Sequence, residues 1–172
     1  VLVIDAHMDF RKAYEVFEYS HASIFYNALK FSQITKMVQV GIRDFCDEEK
    51  QFALEQGDRV QVYYDRLIQR EIMRGTPWLK LFELMLAKLP EKVYVSVDID
   101  GLDPVLCPNT GTPVPGGLQF EQFAYLLFLL GKSGKEIIGF DLCEVAPGDN
   151  GEWDGNVGSR LLYQLCGMAA NQ

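Results

Sequence analysis

Short apolar runs rich in Val, Ile and Leu alternate along the chain with longer segments in which apolar residues recur at helical spacing. Runs of four to six such residues predict strands that are buried on both faces of a parallel sheet. The predicted strands are an opening run from Val1 that ends before Asp5, then Lys36–Gly41, Arg59–Tyr64, Val93–Val97 and Glu136–Phe140. The predicted helices are Ala22–Phe31, Asp47–Gln56, Asp65–Arg74, Pro77–Leu89, Phe120–Gly131 and Asn156–Ala169. This alternation predicts an α/β fold, a three-layer parallel sheet flanked by helices.

Two of the predicted helices carry apolar stripes that should face the core. The stripes are Leu81, Leu84, Met85 and Leu89 in one helix, and Leu161, Leu162 and Leu165 in the other. The segments 10–20, 104–118 and 148–155 lack a clear period or are rich in Pro and Gly, and we predict loops there.

Side chains that can bind a metal follow two of the predicted strands at a spacing of two residues. Asp5, His7 and Asp9 follow the first strand, and Asp98 and Asp100 follow the fourth. Because ligands of open α/β sheets bind at the carboxyl ends of the strands, these side chains should meet at one edge of the sheet. So many carboxylates would repel one another unless a cation neutralised them. Carboxylates with one imidazole suit a hard or borderline divalent ion, and manganese fits best, with enough ligands for two ions.

Three other polar residues have an ordinary structural explanation from the residues alone. Asp103 lies before Pro104, where a turn or helix-cap role is the favoured interpretation. His21 could cap the helix that follows it or lie on the surface. Glu144 could be an ordinary charged loop residue, since Glu is mostly exposed.

The composition is that of one globular domain, which we assign to residues 1–172. Hydrophobic residues make up 48% of the 172 residues, and the formal net charge is -8. Such a charge argues against a nucleic-acid or anionic-membrane partner and is compatible with a cationic substrate. The four cysteines are scattered without a CxxC pair, which favours reduced thiols in a cytoplasmic protein. No targeting signal or apolar run of membrane-spanning length is present in the sequence.

Four motifs in order along the chain resemble those of the ureohydrolase family, which includes arginase and agmatinase. The motifs are Asp-Ala-His-Met-Asp at 5–9, Ser-Val-Asp-Ile-Asp-Gly-Leu-Asp-Pro at 96–104, Thr-Gly-Thr-Pro-Val-Pro-Gly-Gly-Leu at 110–118 and Glu-Val-Ala-Pro at 144–147. Within the family, the segments 19–26 and 38–43 and the Ala146-Pro147 pair look most like agmatinase. The resemblance implies an arginase-like fold and the release of urea from a guanidino compound, with agmatine as the leading substrate. It also implies a homo-oligomer, typically a trimer or hexamer.

The resemblance implies a centre of two manganese ions. Asp5 and Asp98 would bridge the ions, Asp9 would bind the first, and His7 and Asp100 would bind the second. Asp100 would therefore belong to the catalytic centre, together with His21 and Glu144, which are not metal ligands.

Four residues outside the ligand set would act on the substrate. His21 would lie over the substrate and relay protons, and an imidazole pKa near 6.5 suits that task. Glu144 would pair with the guanidinium group, and Thr112 would lie in the wall of the active site. Arg11 lies in the loop that would recognise the far end of the substrate.

The sequence also departs from the family pattern. The family carries an upstream Gly-Gly-Asp-His segment whose His binds the first metal, and no such segment occurs here. The chain opens inside a predicted strand, so we expect the C-terminal part of a longer ureohydrolase, with a sheet incomplete at the N-terminal side and a first metal site short of one ligand. Ala22 follows His21 where agmatinases usually have Gly.

Other functions remain open at this point. Arg11 and Lys12 would suit a substrate that ends in a carboxylate, as for an arginase, a guanidino-acid hydrolase or a formimidoylglutamase. A different class is a non-catalytic homologue that binds metal and serves in assembly or regulation. A deacetylase-like metal hydrolase is weaker, since the paired motifs are typical of two metals.

Overall fold

The computed structural model describes residues 1–148 and 151–170, and five parallel strands form its sheet. The strands are β1 (Leu2–Ile4), β2 (Met37–Ile42), β3 (Val60–Tyr64), β4 (Lys92–Asp98) and β5 (Glu136–Cys143). Their order across the sheet is β3-β2-β1-β4-β5. The predicted parallel sheet is therefore confirmed.

The central strand β1 marks the point where the chain changes direction across the sheet. The chain runs from β1 outward to β2 and β3, then returns to pair β4 with the other side of β1. Crevices at such switch points, beyond the carboxyl ends of the strands, are where open α/β sheets bind ligands.

Helices connect the strands and cover the sheet. They are α1 (Ile24–Ala28), α2 (Asp47–Glu55), α3 (Asp65–Met73), α4 (Trp78–Leu86), α5 (Phe120–Lys132) and α6 (Trp153–Ala170). Across the described ranges, none of the helices is both long enough and apolar enough to cross a membrane.

The sheet separates two groups of buried apolar residues. Leu2 and Ile4 of β1 pack into the larger group, with α4, α5 and α6, while Val3 packs into the smaller group with Phe10 and Phe25. A strand that contributes to both groups must be apolar at every position, which explains the uninterrupted run at the start of the chain.

Both predicted apolar stripes are wrong at one position. Leu84 of α4 is 53% exposed and Leu162 of α6 is 45% exposed, whereas Phe82 is fully buried. The face of α4 that meets the core follows Phe82, Met85 and Leu86, so Leu84 lies on the opposite side of the helix. The hydrophobicity of the residues alone did not identify which face of the helix meets the core.

Several element boundaries also differ from the predictions. Strand β5 extends to Cys143 rather than Phe140, and α6 begins at Trp153 rather than Asn156. The helix predicted over Ala22–Phe31 is shorter, with a 3₁₀ turn at His21–Ser23 followed by α1. Residues 149 and 150 of the predicted loop 148–155 lie outside the described residues.

Gly101 allows the turn after β4 to touch the backbone of β1. A Cβ at this position would lie 2.7 Å from the amide nitrogen of Asp5 and 2.9 Å from the carbonyl carbon of Ile4. Gly41 at the end of β2 has φ +97°, and a Cβ there would lie 3.1 Å from the carbonyl oxygen of Asp5. Both glycines therefore permit close packing of backbone around the end of β1.

The hairpin at Tyr14–Phe17 contains backbone strain that one substitution should relieve. Glu15 and Val16 both have positive φ, 47° and 69°, and a β-branched residue is unfavourable there. Val16 is 92% exposed, so its side chain contributes little burial. We expect Val16→Gly to raise the free energy of unfolding by about 0.5–1 kcal/mol, the relief of strain less the entropy of glycine.

Chemical denaturation of the two proteins would measure this gain. Val105→Gly is the matched control, because Val105 is also exposed (67%) but is absent from the positive-φ positions. Stabilisation by both substitutions, or by neither, would contradict the assignment of strain to Val16.

Candidate metal centre

The ends of β1 and β4 bring three of the predicted ligands together. Oxygens of Asp5 and Asp100 and a ring nitrogen of His7 all lie within 4.8 Å of one another. The Nδ1 atom of His7 is 3.0 Å from Oδ2 of Asp100 and 3.5 Å from Oδ1 of Asp5. Asp5 and Asp100 are almost fully buried, at 3% and 1% exposure, beneath the more open His7.

A second group of ligand-type side chains shares one member with the first. Oxygens of Asp98, Asp100 and Glu144 lie within 4.8 Å of one another, and Glu144 follows directly after β5. Asp100 thus belongs to both groups. The end of the sheet carries two adjoining places where an ion could be held.

Backbone amides at the strand ends orient the three aspartates. The amide of His7 donates to Asp5 Oδ1 at 2.6 Å, and that of Ala6 donates to Asp100 Oδ1 at 3.1 Å. The amide of Asp100 donates to Asp98 Oδ1 at 2.9 Å. One oxygen of each carboxylate is held in this way, and each carboxylate keeps a second oxygen for other partners.

Burial and mutual repulsion disfavour the charged forms of these carboxylates. Burial, together with the charges of Asp100 and Asp5, raises the pKa of Asp98 to about 9. Burial and the charge of Asp5 raise the pKa of Asp9 to about 8. Burial raises the pKa of Asp5 to about 6, although its hydrogen bond with His7 opposes the change.

The imidazole of His7 supplies the opposite charge in this arrangement. Burial lowers the pKa of His7, but its hydrogen bonds with Asp100 and Asp5 outweigh burial and raise the value to about 11. Burial would raise the pKa of Asp100, but the bond with His7 keeps it below its usual range. Oxygen-rich groups that each need a positive charge fit a divalent cation of the hard or borderline kind.

Asp9 lies next to these groups but outside both sets of converging ligand atoms. Its backbone is left-handed, with φ 55°, and its carbonyl accepts the amides of Phe25 and Tyr26 at 3.1 Å each. These bonds connect the loop after β1 to the start of α1. Among the described residues, the geometry gathers four of the five predicted ligands and leaves Asp9 at the margin.

Of the predicted substrate residues outside the ligand groups, Thr112 contacts them, whereas the side chains of His21 and Arg11 contact other side chains. Thr112 donates to Asp100 Oδ2 over 3.4 Å and therefore touches the ligand set. His21 is exposed, and its ring packs edge-on against Tyr14 with centroids 5.3 Å apart. Arg11 lies over the same tyrosine ring at 5.4 Å, and its Nε is 3.8 Å from Oε2 of Glu49.

Comparison with known proteins matches the chain to a family. Residues 1–167 match the model of the Arginase family. The chain belongs to the arginase family. Its parallel five-stranded sheet flanked by helices is the fold of arginase-family structures.

Named relatives of this arginase-family chain include hydrolases of guanidino compounds. It is 35% identical to N(1)-aminopropylagmatine ureohydrolase of Thermus thermophilus over all of its length and 54% of the relative's. It is 33% identical to agmatinase of Pyrococcus horikoshii, over 98% of the chain and 55% of the relative. The solved structure of proclavaminate amidino hydrolase from Streptomyces clavuligerus superimposes with a TM-score of 0.81 at 29% identity, over 99% of this chain and 55% of that one. The chain spans about half the length of the curated relatives it matches.

Two polar residues near the centre, one buried and one partly buried, have roles that the sequence did not reveal. Glu49, 4% exposed, accepts the amides of Phe10 at 3.0 Å and Cys46 at 3.0 Å and so joins α2 to the loop after β1. The pattern Cys-x-x-Glu before α2 is a capping-box arrangement with Cys in place of Ser or Thr, which was the available signal.

The second missed residue is Arg43, which follows β2. Its guanidinium donates to the carbonyls of Gly41, Asp100, Leu102 and Val114 at 2.7–3.1 Å. It thereby connects the end of β2, the turn after β4 and the loop 104–118. No local pattern predicts such a role, since all but one of its partners lie more than 50 residues away.

The raised pKa values predict that metal binding by this arginase-family chain releases protons. In the metal-free protein, Asp5, Asp9, Asp98 and His7 retain protons to a higher pH than usual, and a bound cation favours their deprotonated forms. The metal-free state therefore binds more protons than the metal-bound state. The affinity for the metal should rise as the pH rises from about 6 to about 9, the range of the pKa values of the three aspartates.

Calorimetric titration with manganese at pH 6, 7 and 8, in buffers of different ionisation enthalpy, would measure both affinity and proton release. An affinity independent of pH, with no dependence of the heat on buffer, would contradict the prediction.

Proposed function

We propose that this chain carries the metal centre of a ureohydrolase that releases urea from a guanidino compound, with agmatine as the leading substrate. The observation that carries the proposal is the meeting of Asp5, His7, Asp98 and Asp100 with Glu144 at one end of the sheet. The family membership supports the reaction class, and the relatives named for agmatine and aminopropylagmatine support the substrate.

We assign Asp5, His7 and Asp100 to one manganese ion. Asp98 and Asp9 would contribute ligands to a second manganese ion, although Asp9 lies outside both groups of converging ligand atoms. Manganese, when bound, would lower the pKa of water and so supply a hydroxide nucleophile for the guanidino carbon at neutral pH.

The remaining roles belong to side chains of the chain itself. The Glu144 carboxylate would pair with the guanidinium and hold it in line, which lowers the entropic cost of reaching the transition state. The imidazole of His21 would give a proton to the departing amine. The Thr112 hydroxyl, already bonded to Asp100, would limit where the substrate can lie.

The surroundings of Arg11 favour a substrate whose far end is an amine. Arg11 is paired with Glu49 and its guanidinium lies over the Tyr14 ring, so its charge is partly satisfied within the protein. The cavity beside it, of about 700 Å³, is lined by Arg11 and Lys12 but also by four acidic residues. These are Asp47, Glu48, Glu49 and Glu55. A wall with more carboxylates than cations suits agmatine better than a guanidino acid.

Urea release from manganese-loaded protein is the test. Agmatine, aminopropylagmatine, arginine, guanidinobutyrate and formimidoylglutamate would be assayed in parallel, with formamide measured for the last. We expect urea from agmatine or its aminopropyl derivative and at least about tenfold lower kcat/KM for the carboxylated compounds, because a buried or paired charge mismatch costs more than 1.4 kcal/mol.

Glu144→Gln is the matched variant for this assay, since it keeps the shape of the side chain and removes its charge. It should lower kcat/KM on agmatine by roughly 100-fold or more, in the range of a lost charge-assisted contact. If the protein prefers a carboxylated compound, the proposed substrate would be a guanidino acid instead of agmatine. Metal binding without urea or formamide from any of the five compounds would favour a non-catalytic homologue.

A further inference from the structure

A buried carboxylate outside the metal centre holds the loop that faces Glu144. Asp154, in the first turn of α6, is 1% exposed. It accepts two hydrogen bonds from Asn109, from the backbone amide at 2.9 Å and from the side-chain Nδ2 at 2.8 Å. A charged acceptor with two donors from one residue fixes both the position and the direction of the loop at that point.

The next residue of the loop reaches the backbone of Glu144. Thr110 is 4% exposed, and its Oγ1 donates to the carbonyl oxygen of Glu144 at 3.1 Å. Glu144 has φ 60°, a left-handed conformation that a non-glycine residue adopts only when its surroundings enforce it. The hydrogen bond from the Thr110 hydroxyl is one such constraint, because it holds the carbonyl group of Glu144 itself.

The two segments are also packed closely enough to leave little freedom. A Cβ on Gly148 would lie 2.6 Å from Nδ2 of Asn109, so the chain after Glu144 passes directly over the Asn109 side chain. A Cβ on Gly111 would lie 3.7 Å from Oε2 of Glu144, so the carboxylate itself lies against the loop. The loop therefore contacts Glu144 at both its backbone and its side chain.

We propose that Asp154, Asn109 and Thr110 are positioning residues that set the orientation of the Glu144 carboxylate. Asp154 fixes Asn109, Asn109 places Thr110, and the Thr110 hydroxyl holds the Glu144 backbone in its left-handed conformation. The consequence for substrate rests on the proposed function, in which Glu144 contacts the guanidinium. The effect on the Glu144 backbone rests on geometry alone.

The effect of losing the hydroxyl should be local, because the loop has other attachments, one to α6 and one to the turn after β4. Trp153 donates from its indole Nε1 to the carbonyl of Val105 at 3.0 Å, which holds the earlier part of the same loop. Cys107 donates to the carbonyl of Ile99 at 3.3 Å beneath it. A change at Thr110 therefore frees Glu144 without releasing the whole loop.

The test compares Thr110→Val, which keeps the shape and removes the hydroxyl, with Thr110→Ser, which keeps the hydroxyl. At saturating manganese we expect Thr110→Val to raise the KM for agmatine roughly 5–10-fold with kcat within about twofold of the parent, and Thr110→Ser to restore KM to within about twofold. Asn109→Ala should resemble Thr110→Val. Asn156→Ala is its control, because Asn156 is exposed and its side chain accepts a hydrogen bond from Arg160, on the same helix, at 2.8 Å.

Two further readouts separate this proposal from the proposed function. Binding of agmatine to the manganese-loaded proteins by calorimetry should weaken in Thr110→Val by the same factor as KM. Crystal structures of the parent and Thr110→Val should show the positive φ of Glu144 in the first and its loss or disorder in the second. If the parent neither binds nor hydrolyses any guanidino compound, the proposed function fails, and the two structures alone decide the positioning role.

Three results would overturn the positioning role. One is a Thr110→Val protein with unchanged KM, agmatine affinity and Glu144 backbone. Another is a Thr110→Ser protein as impaired as Thr110→Val, which would mean that the exact packing of the side chain, and not the hydroxyl bond alone, is required. The third is an equal fall in kcat and in thermal stability with no change in KM, which would indicate a purely structural role.

Discussion

Asp100→Asn is expected to weaken manganese binding by more than about 100-fold. Asp100 is the residue shared by both ligand groups, and it also receives the Nδ1 atom of His7 at 3.0 Å. Loss of a supporting partner of a metal ligand typically costs 10–100-fold in affinity, so loss of the charge on a shared ligand should cost more. Calorimetric titration of metal-free protein at pH 7.5 would measure the change.

Asp103→Asn is the matched control for that substitution. Asp103 lies three residues later and has the turn role predicted for it, with Oδ1 accepting the amide of Val105 at 3.0 Å and Oδ2 accepting from Gln119 at 3.0 Å. We expect its manganese affinity to stay within about threefold of the parent, since its contribution to the field at the metal is screened by solvent. Equal losses in the two variants would mean that net charge, and not ligation, governs binding.

Arg43→Met should lower the free energy of unfolding by about 3 kcal/mol or more. The methionine keeps much of the apolar stem but leaves four carbonyls without their donor, and each buried carbonyl that loses a partner costs about 1–3 kcal/mol. Arg43→Lys should recover only part of this loss, because an ammonium group cannot reproduce the planar fork of donors. Urea denaturation of the three proteins would measure the differences.

Arg59→Met is the control for the general effect of replacing an arginine. Arg59 also donates to two carbonyls, those of Ile34 and Phe31 at 2.9 Å each, but these lie near the surface, where water can replace the donor. A loss of about 1 kcal/mol is expected there. If Arg43→Met costs no more than Arg59→Met, the connection of three segments through Arg43 has no special energetic weight.

Local signals in the sequence predicted most of the sheet and the meeting of the ligands. The run before Asp5 is apolar at every position because β1 packs on both faces, and the alternation of Asp98 and Asp100 places them at the end of the neighbouring strand. Strand type, strand number and the edge that carries the site follow from such patterns. Leu84 and Leu162 show the limit of the same reasoning, because apolar residues on a helix do not reveal which of them faces the sheet.

Contacts between distant segments could not be predicted in this way. Glu49 binds an amide 39 residues earlier, and Asn109 binds Asp154 45 residues later. An isolated Glu or Asn in the sequence carries no sign of such a partner. Backbone strain could not be predicted either, since the residue types of Glu15 and Val16 do not indicate that both adopt positive φ.

The side-by-side placement of β1 and β4 has a consequence for how the chain folds and opens. Ala6 and Asp100, bonded to each other, are 94 positions apart, so β2, β3 and the helices between them form one closed loop. Closing a loop of that length has an entropic free-energy cost on the order of 4 kcal/mol, and this cost precedes the contacts between β4 and β1. A cation held by Asp5 and Asp100 would cross-link the two ends of this loop in the native state alone. Its presence should therefore slow the opening of the whole segment between residues 6 and 100, and the residence time of the ion would become a measure of the kinetic stability of that segment.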